Sequence, residues 1–342
     1  MKILYAAAGE GMGHAIRSET IINQFSKNTD ILFVGGGKAY QHLRNKVKAH
    51  KINCLNIVYE KNKVAGFKTF LKSISTIPKL IKEIFKVRKI IKKYKPNVII
   101  SDFEPVSIYA GILTGTKVIT LDNQHIISNT KIKYPTKYWL SAFTSKTVIK
   151  MIAPWSNANI ITTFFHPKIK KKNTFFIGPV VRNKIKRIKP KEKDYFLVYQ
   201  TSDSNTKLLK KLQKTNKKFI VYGFHKNKQF KNVILKKNNE TEFFDDLKNC
   251  KGVIINGGFT LMSEALYLKK PIMSIPVREQ FEQILNAVYL QKKGYGVFVE
   301  NFSEKAFLGF ENNISDFKQN LKKNPVNFKT NQIKYVVDRI LK

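Results

Sequence analysis

The chain has 342 residues, of which 43% are hydrophobic, and this length accommodates two domains with separate cores. No run of about 18 uncharged apolar residues occurs, which excludes an ordinary membrane-spanning helix, and the first residues are typical of a strand rather than of a signal peptide. The two cysteines, Cys54 and Cys250, are far apart and lack metal-binding spacing. We therefore expect reduced core residues in a cytoplasmic protein.

The formal net charge is +40, which raises nucleic acid or an anionic membrane surface as a partner. Only seven of the 63 basic residues are arginine, however, and proteins that read nucleic acid rely on arginine for bidentate contacts. We therefore disfavour a nucleic-acid partner. Two explanations of the lysine content stay open, a biased codon composition and a functional basic surface.

Short apolar runs alternate with longer segments of helical period along the chain, which is the pattern of an α/β fold. In the first half we predict helices over 15–25 and 68–94. The predicted strands of this half are 2–7, 31–34, 98–101, 118–121, 160–163 and 174–177.

A second series of elements follows in the other half of the chain. Its predicted strands are 195–199, 218–222, 233–235, 252–255, 271–275 and 296–299. Its predicted helices are 207–215, 242–248, 260–268 and 280–292.

Between the two series, residues 178–191 are rich in lysine and proline and have no clear period, which indicates an interdomain linker. We place an N-terminal Rossmann-like domain at 1–183, the linker at 184–192 and a C-terminal Rossmann-like domain at 193–328. We expect a helix in 329–342 to return to the first domain. The predicted fold is thus α/β, with two facing parallel-sheet domains and a cleft between them, and ligands of such sheets bind beyond the carboxyl ends of the strands.

A glycine-rich loop with the sequence GEGMGH follows the first strand and ends at His14. Its glycines, which include Gly11 and Gly13, permit a tight turn and a close approach of a ligand to the backbone. The spacing differs from a dinucleotide-binding fingerprint, because His14 stands where a third glycine is required. It also differs from a P-loop, because no Lys-Ser/Thr pair follows.

His14 lies where a strand-end loop meets the start of a helix, which favours a catalytic or ligand-binding role over that of a capping or core histidine. A neutral imidazole takes a proton from a hydroxyl near pH 7. Asp102 and Glu104 end another strand at the same edge of the sheet, and either is a candidate for the acid that orients this imidazole. Helix capping at Pro105 is the alternative role for one of them.

A second junction joins the predicted strand 252–255 to a helix that starts at Thr260, through Gly257 and Gly258. Such a junction directs free backbone N–H groups and the positive end of the helix at one point, where an anion binds. Glu264, in the first turn, would repel a phosphate directly in front of it but accepts hydrogen bonds from a ribose diol beside it. The residues therefore predict a site for a nucleotide with a diphosphate.

Together these motifs resemble those of the GT-B glycosyltransferases, above all the branch of the MurG-type N-acetylglucosaminyltransferases and related archaeal proteins. The resemblance spans essentially the full length and rests on two motifs, GEGMGHAIRS over 9–18 and GGFTLMSEALYLKKPIMSIPVREQFEQILNA over 257–287. It implies a hexosyltransferase that moves a sugar, such as an N-acetylhexosamine, from a nucleotide diphosphate, expected to be UDP. The implied acceptor is a hydroxyl of a glycan or a lipid-linked molecule, and the implied transfer inverts the anomeric carbon without a metal or other cofactor.

By this resemblance His14 is the general base and the C-terminal motif holds the donor. Residues 258–260 would bind the diphosphate, Glu264 the ribose, and Glu282 with Gln283 the sugar. MurG-type relatives have two glutamines at the last two positions, so the identity of the sugar stays open. The other donor-site candidates are Thr201, Ser202, Tyr222, Gly257, Phe259, Ser263 and Asn286.

Two basic amphipathic stretches, 68–94 and 138–151, occur in the first half. One interpretation is that their apolar faces pack on the sheet, and the other is a surface that lies on anionic lipid beside a lipid-linked acceptor. His125, at the end of a further strand, is a candidate for the acceptor pocket or a buried structural histidine. On the second interpretation the cytoplasmic protein is peripheral at the inner face of the membrane.

Three rival functions stay open. A nonhydrolysing nucleotide-sugar 2-epimerase has the same two-domain architecture and diphosphate site but needs no acceptor. A basic nucleic-acid-binding protein would bind strands with a steep salt dependence, and it leaves His14 and Glu264 without a role. A protein of the same fold that binds a sugar nucleotide without transferring it retains the donor site alone.

Overall fold

The computed structural model describes residues 1–9, 11–25, 28–54, 59–60, 63–64, 66–201 and 205–342, with the backbone alone for those in 59–76. The chain forms two compact units. The first comprises Met1–Val58, Ala65–Val180 and Asn327–Lys342, and the second comprises Tyr59–Val64 and Val181–Val326.

The described strands are short, as is usual for buried parallel sheets. They are β1 (Lys2–Ala7), β2 (Asp30–Gly35), β3 (Lys48–Lys51), β4 (Tyr59–Glu60), β5 (Lys63–Val64), β6 (Val98–Asp102), β7 (Val118–Asp122), β8 (Ala158–Thr162), β9 (Thr174–Ile177), β10 (Phe196–Tyr199), β11 (Phe219–Tyr222), β12 (Lys228–Phe230), β13 (Val233–Leu235), β14 (Gly252–Ile255), β15 (Ile272–Ser274) and β16 (Gly296–Phe298).

The described α-helices connect most of these strands. They are α1 (Gly11–Ile22), α2 (Gly37–Leu43), α3 (Gly66–Tyr94), α4 (Pro105–Thr114), α5 (His125–Asn129), α6 (Trp139–Ile152), α7 (Asn183–Lys186), α8 (Thr206–Leu212), α9 (Glu240–Asn249), α10 (Phe259–Tyr267), α11 (Phe281–Lys292), α12 (Glu304–Asn312), α13 (Ile314–Lys323) and α14 (Gln332–Leu341).

The first unit is built on a parallel sheet of seven strands in the order β3-β2-β1-β6-β7-β8-β9. Alternate residues of the central strand β1 enter different cores. Ile3 and Tyr5 pack in one apolar cluster, whereas Leu4 and Ala6 pack in the other. Helices therefore cover both faces of this sheet, which explains why its strands are apolar without alternation.

The second unit contains another seven-stranded sheet, in the order β12-β13-β11-β10-β14-β15-β16. Its pairs are parallel except that β12 runs antiparallel to β13 at one edge. Its core combines aliphatic and aromatic residues, and Phe196 contacts the rings of Phe219, Phe307 and Phe310. The separate pair β4–β5 is an antiparallel two-stranded sheet. The predicted α/β class is confirmed.

The segment predicted as a linker, 184–192, belongs to the second unit and includes most of α7. Ile185 is fully buried, and the backbone N–H of Lys191 donates to the carbonyl of Lys248. These contacts attach the segment to the second unit even though its sequence lacks a period.

The C-terminal helix α14 belongs to the first unit. Its apolar face, formed by Ile333, Val336 and Val337, is part of the same core as Ile3 and Tyr5. The first unit is therefore completed by residues from the far end of the chain.

Candidate active site

The first candidate site lies at the carboxyl edge of the first sheet, where three neighbouring strands end. Ala7 of β1 pairs with Asp102 of β6, and β7 beside β6 ends at Asp122. Two buried carboxylates thus lie at the edge where parallel α/β sheets bind their ligands.

The helix α1 follows β1 and presents His14 at this edge. It begins at Gly11, whose φ of +73° lies in the left-handed region that glycine tolerates. The predicted loop residues Gly11 and Gly13 are therefore in the first turn of a helix that starts before the predicted Ala15. His14 is in the same turn.

His14 contacts the carboxylate of Asp102 with a distance of 2.8 Å between Nδ1 and Oδ1. Arg17, one turn later on α1, donates from Nε to Oδ2 of Asp102 at 2.8 Å and from Nη2 to Oδ1. Asp102 is fully buried and Arg17 nearly so, whereas the His14 side chain is 17% exposed. A buried carboxylate is thus paired with a guanidinium, and the imidazole reaches the surface.

The ionisation of Asp102 follows from these contacts. Burial by itself would raise the pKa of Asp102, but the charges of Arg17 and His14 and their hydrogen bonds bring it below its usual range. An ionised carboxylate only accepts hydrogen bonds, so this pattern assigns the ring proton of His14 to Nδ1. An imidazole with its single proton on Nδ1 has a lone pair on Nε2, which is what a general base requires.

Glu104, the other candidate acid, has a different role. Its side chain accepts hydrogen bonds from the backbone N–H groups of Val106 at 2.9 Å and Ser107 at 2.7 Å, and it caps the start of α4. Phe103, between the two acids, has a φ of +55°, which is unusual for a bulky residue. The backbone turns there, so that Asp102 faces His14 and Glu104 faces α4.

We expect Glu104 to make stability depend on pH. Its burial, only partly offset by the hydrogen bonds from Ser107 and Val106, raises the pKa of Glu104. The folded state then binds this proton more tightly than the unfolded chain, so the stabilising contribution is lost as the pH rises above the unfolded pKa of about 4.3. Between about pH 4 and neutral pH, urea unfolding should show wild type losing stability relative to Glu104→Gln. A difference that grows in favour of wild type as the pH rises would contradict this assignment.

His125 forms a second histidine–aspartate pair at the same edge. Its Nδ1 lies 2.7 Å from Oδ2 of Asp122, and its backbone N–H donates to Oδ1 of the same residue at 2.9 Å. The side chain is buried, and within the described residues Nε2 has no hydrogen-bond partner. The same is true of Oδ1 of Asn123 and Oε1 of Gln124. The β7–α5 turn therefore holds three adjacent side chains with unused polar atoms.

A second candidate site, in the second unit, lies at the β14–α10 junction. Gly257 has a φ of +95°, and a Cβ atom there would lie 2.9 Å from Oγ of Ser274. Gly258 is the N-cap of α10 and, as a glycine, has no side chain to cap the helix. Phe259 and Thr260 begin the helix. The glycine turn and the dipole at this helix start are those of an anion site.

Glu264 forms an ion pair with Arg182, a residue to which the sequence alone assigned no role. Arg182 donates from Nε to Oε1 of Glu264 at 2.5 Å and from Nη2 to Oε2 at 2.6 Å. Its Nη1 also donates to Glu240 at 3.1 Å, and its guanidinium stacks on the ring of Phe244 at 4.3 Å. Glu264 is fully buried, which raises its pKa, and the contacts from Arg182 act in the opposite sense.

Several other donor-site candidates make contacts within the second unit. The hydroxyl of Ser263 donates to the carbonyl of Phe259 at 2.6 Å. Oε1 of Gln283 accepts from the N–H of Val277 at 3.0 Å, and Nδ2 of Asn286 donates to the carbonyl of Gly257 at 3.1 Å. These three side chains therefore form hydrogen bonds with backbone groups at and near the β14–α10 junction.

Tyr222 is fully buried, and its hydroxyl donates to Asp246 at 2.7 Å. The hydroxyl of Tyr222, a donor-site candidate, therefore makes a contact inside the second unit. Thr201 donates its N–H to Oδ1 of Asn256 at 2.9 Å. Ser202 lies outside the described residues. Glu282 is half-buried in the first turn of α11.

The sequence reasoning thus missed Arg17 and Arg182 as site residues. A signal was available, because arginine is scarce among the basic residues of this chain and is preferred to lysine for bidentate carboxylate pairs. Among the described residues, no three His, Cys, Asp or Glu side chains form a group suited to a metal ion.

Comparison with solved structures defines the class of fold. The glycosyltransferase of kitacinnamycin superposes with a TM-score of 0.69 at 12% identity and covers 100% of this chain and 99% of that one. MurG from Acinetobacter baumannii superposes with a TM-score of 0.63 at 13% identity and covers 99% of both chains. The two parallel-sheet units therefore have the GT-B fold.

The family follows from the sequence. The model described as glycosyl transferase family 1 matches residues 1–315, and the chain belongs to this family. A relative from Wigglesworthia glossinidia brevipalpis, named UDP-N-acetylglucosamine--N-acetylmuramyl-(pentapeptide) pyrophosphoryl-undecaprenol N-acetylglucosamine transferase, is 28% identical over 199 residues. The match covers 57% of this chain and 48% of that relative, so the chain spans about half of its length.

Proposed function

We propose that this protein transfers a sugar from a UDP-sugar to a hydroxyl of a glycan or lipid-linked acceptor. The observation that carries the proposal is the β14–α10 junction, where the helix starts after Gly257 and Gly258 and a buried carboxylate, Glu264, stands on the same helix. The name of the bacterial relative supports UDP-N-acetylglucosamine as the donor and a lipid diphosphate as the acceptor.

The proposed reaction is a single displacement. Nε2 of His14 accepts the proton of the acceptor hydroxyl as that oxygen attacks the anomeric carbon, and the bond from this carbon to the diphosphate oxygen breaks. UDP leaves with the bonding electron pair, and the configuration at the anomeric carbon inverts. The start of α10 stabilises the negative charge that develops on the diphosphate, because its N–H groups and dipole are fixed before the reaction.

Glu264 fits the ribose in this scheme through its pairing with Arg182. The guanidinium occupies both carboxylate oxygens but leaves each with a further lone pair. We assign the ribose hydroxyls to these lone pairs, with Arg182 as the residue that orients the carboxylate.

Nucleotide binding tests the proposal first. UDP and UDP-sugars should raise the Tm of the protein more than GDP, CDP or TDP compounds, because a ligand that binds the folded state stabilises it by an amount that grows with the ratio of its concentration to its Kd. The metal-independent mechanism further predicts the same UDP shift after treatment with EDTA. No shift with any nucleotide would refute the donor assignment. Epimer formation from UDP-sugar alone would favour the epimerase.

We also propose that the first unit binds an anionic membrane surface. The helix α6 exposes several large apolar side chains, with Trp139 at 63% and Phe143 at 64%. The neighbouring helices α3 and α4 expose further apolar residues, namely Ile77, Ile81, Phe85, Ile112 and Leu113. In the described part of the chain no helix is long and apolar enough to cross a membrane, so a contact of this kind is interfacial.

Lysines beside α6 supply the charge for such a contact. Burial and the like charges of Lys146, Lys131 and Lys150 lower the pKa of Lys170, which indicates a concentrated positive field. Basic residues near an anionic surface contribute about 1 kcal/mol each. Apolar and basic groups thus act together on one side of this unit.

Vesicle sedimentation tests the membrane proposal. The protein should bind vesicles that contain phosphatidylglycerol and bind phosphatidylcholine vesicles weakly. The double variant Trp139→Glu/Phe143→Glu should lose most of this binding. Leu308→Glu is the matched control, because Leu308 is 48% exposed on α12 of the second unit. Equal loss in both variants would argue against a specific surface on α6.

A further inference from the structure

The ring nitrogen Nδ1 of His14 contacts two groups that favour opposite protonation states of this nitrogen. It lies 2.8 Å from Oδ1 of Asp102 and 3.0 Å from Nη2 of Arg17. The carboxylate accepts a hydrogen bond from a protonated Nδ1, whereas the guanidinium has donors only and interacts favourably with a bare nitrogen. A single ring nitrogen satisfies one of these partners at a time.

The charges around the ring determine which of these two partners Nδ1 satisfies. Asp102 and Arg17 form a buried pair with no net charge. Asp122 on the neighbouring strand end also acts on Arg17, and together the two carboxylates raise its pKa against the effect of burial. Tyr5, which is fully buried beside them, has its pKa raised by burial and by Asp102, and it stays neutral.

Without Arg17, His14 would be the one side chain among the described residues that directly contacts the carboxylate of a buried and ionised Asp102. Burying an uncompensated carboxylate is costly, so the imidazole would be drawn into an imidazolium–carboxylate pair. An imidazolium has no lone pair on Nε2 and is unable to take a proton from a hydroxyl.

We propose that Arg17 is a positioning residue that keeps His14 a neutral imidazole with its proton on Nδ1. It does so by neutralising Asp102, so that the carboxylate orients the ring without charging it. This inference rests on the proposed function for its catalytic meaning, but the state of the ring is measurable without any substrate.

Nitrogen-15 NMR of histidine-labelled protein at about pH 7.5 tests the proposal, because long-range proton–nitrogen correlations distinguish the two neutral tautomers from imidazolium. The His14 signals are those that disappear in His14→Gln. Wild type should show a neutral ring with the proton on Nδ1. In Arg17→Gln the same ring should show the imidazolium pattern.

Asp102→Asn supplies a second test with a different expected result. Without the carboxylate charge, Arg17 should donate to Nδ1, and the proton should move to Nε2. Adding Arg17→Gln to this variant should remove that preference and return a mixture of tautomers. These two variants lack the Asp102 carboxylate, so the comparison between them carries the test even if Arg17→Gln alone fails to fold.

The proposal is overturned if His14 is equally neutral in wild type and folded Arg17→Gln, or if Asp102→Asn and the double variant show the same tautomer. A purely structural Arg17 would lower the Tm and leave both spectra unchanged. Where an acceptor is in hand, Arg17→Gln should lower turnover by at least about tenfold and move the acid limb of the pH–rate profile to higher pH. Absence of turnover in wild type refutes the proposed function and leaves the NMR result standing.

Discussion

Replacing His14 with glutamine should lower kcat by about 10² to 10⁴-fold and leave the affinity for UDP unchanged. General base catalysis contributes about this factor, and glutamine retains a polar side chain opposite Asp102 but has no basic nitrogen. Initial rates of sugar transfer give kcat, and calorimetric titration with UDP gives the affinity.

The control for this prediction is His42→Gln. His42 belongs to the same unit and also contacts a carboxylate, with 2.6 Å between its Nε2 and Oε2 of Glu19, but it lies on α2 away from the strand ends. Its replacement should leave turnover close to wild type. Full activity in His14→Gln would remove this residue from the role of base.

Replacing Glu264 with glutamine should weaken UDP binding by about 10- to 100-fold. Hydrogen bonds to a charged group contribute about 1.5–3 kcal/mol, and about 1.4 kcal/mol corresponds to a factor of ten in affinity. The same change leaves Arg182 without its buried charged partner, so we also expect a lower Tm. Calorimetry well below that Tm separates the two effects.

Glu240→Gln is the matched control, because Glu240 contacts the same guanidinium from a side chain that is 49% exposed. A partly exposed ion pair contributes little, and this variant should bind UDP almost as wild type does. If Glu264→Gln is destabilised but binds UDP normally, Glu264 is only a structural partner of Arg182.

The sequence predicted the strands well because parallel strands buried on both faces are unbroken apolar runs. β1 and β14 have the predicted bounds. The edge strand β3, with the sequence KAHK, has no such signal and was missed. Its residues are largely exposed, so they do not need to be apolar.

The site was predicted less completely, because position along an element does not define the direction of a side chain. Ser263 and Asn286 are at the expected junction, but their polar atoms bond to the backbone carbonyls of Phe259 and Gly257. Arg182 lies in a segment without a period, so nothing local in the sequence linked it to Glu264. That contact joins residues far apart in the chain, so it was found only from the folded structure.

The packing of α14 has a consequence for synthesis on the ribosome. Ile333, Val336 and Val337 enter a core whose other members begin at Ile3, so nearly the whole polypeptide must emerge before that core is complete. The unit that ends at Val326 has all of its strands earlier. The strands of both units therefore emerge before α14, and the core of the first unit is completed only after the strands of the second unit have been made.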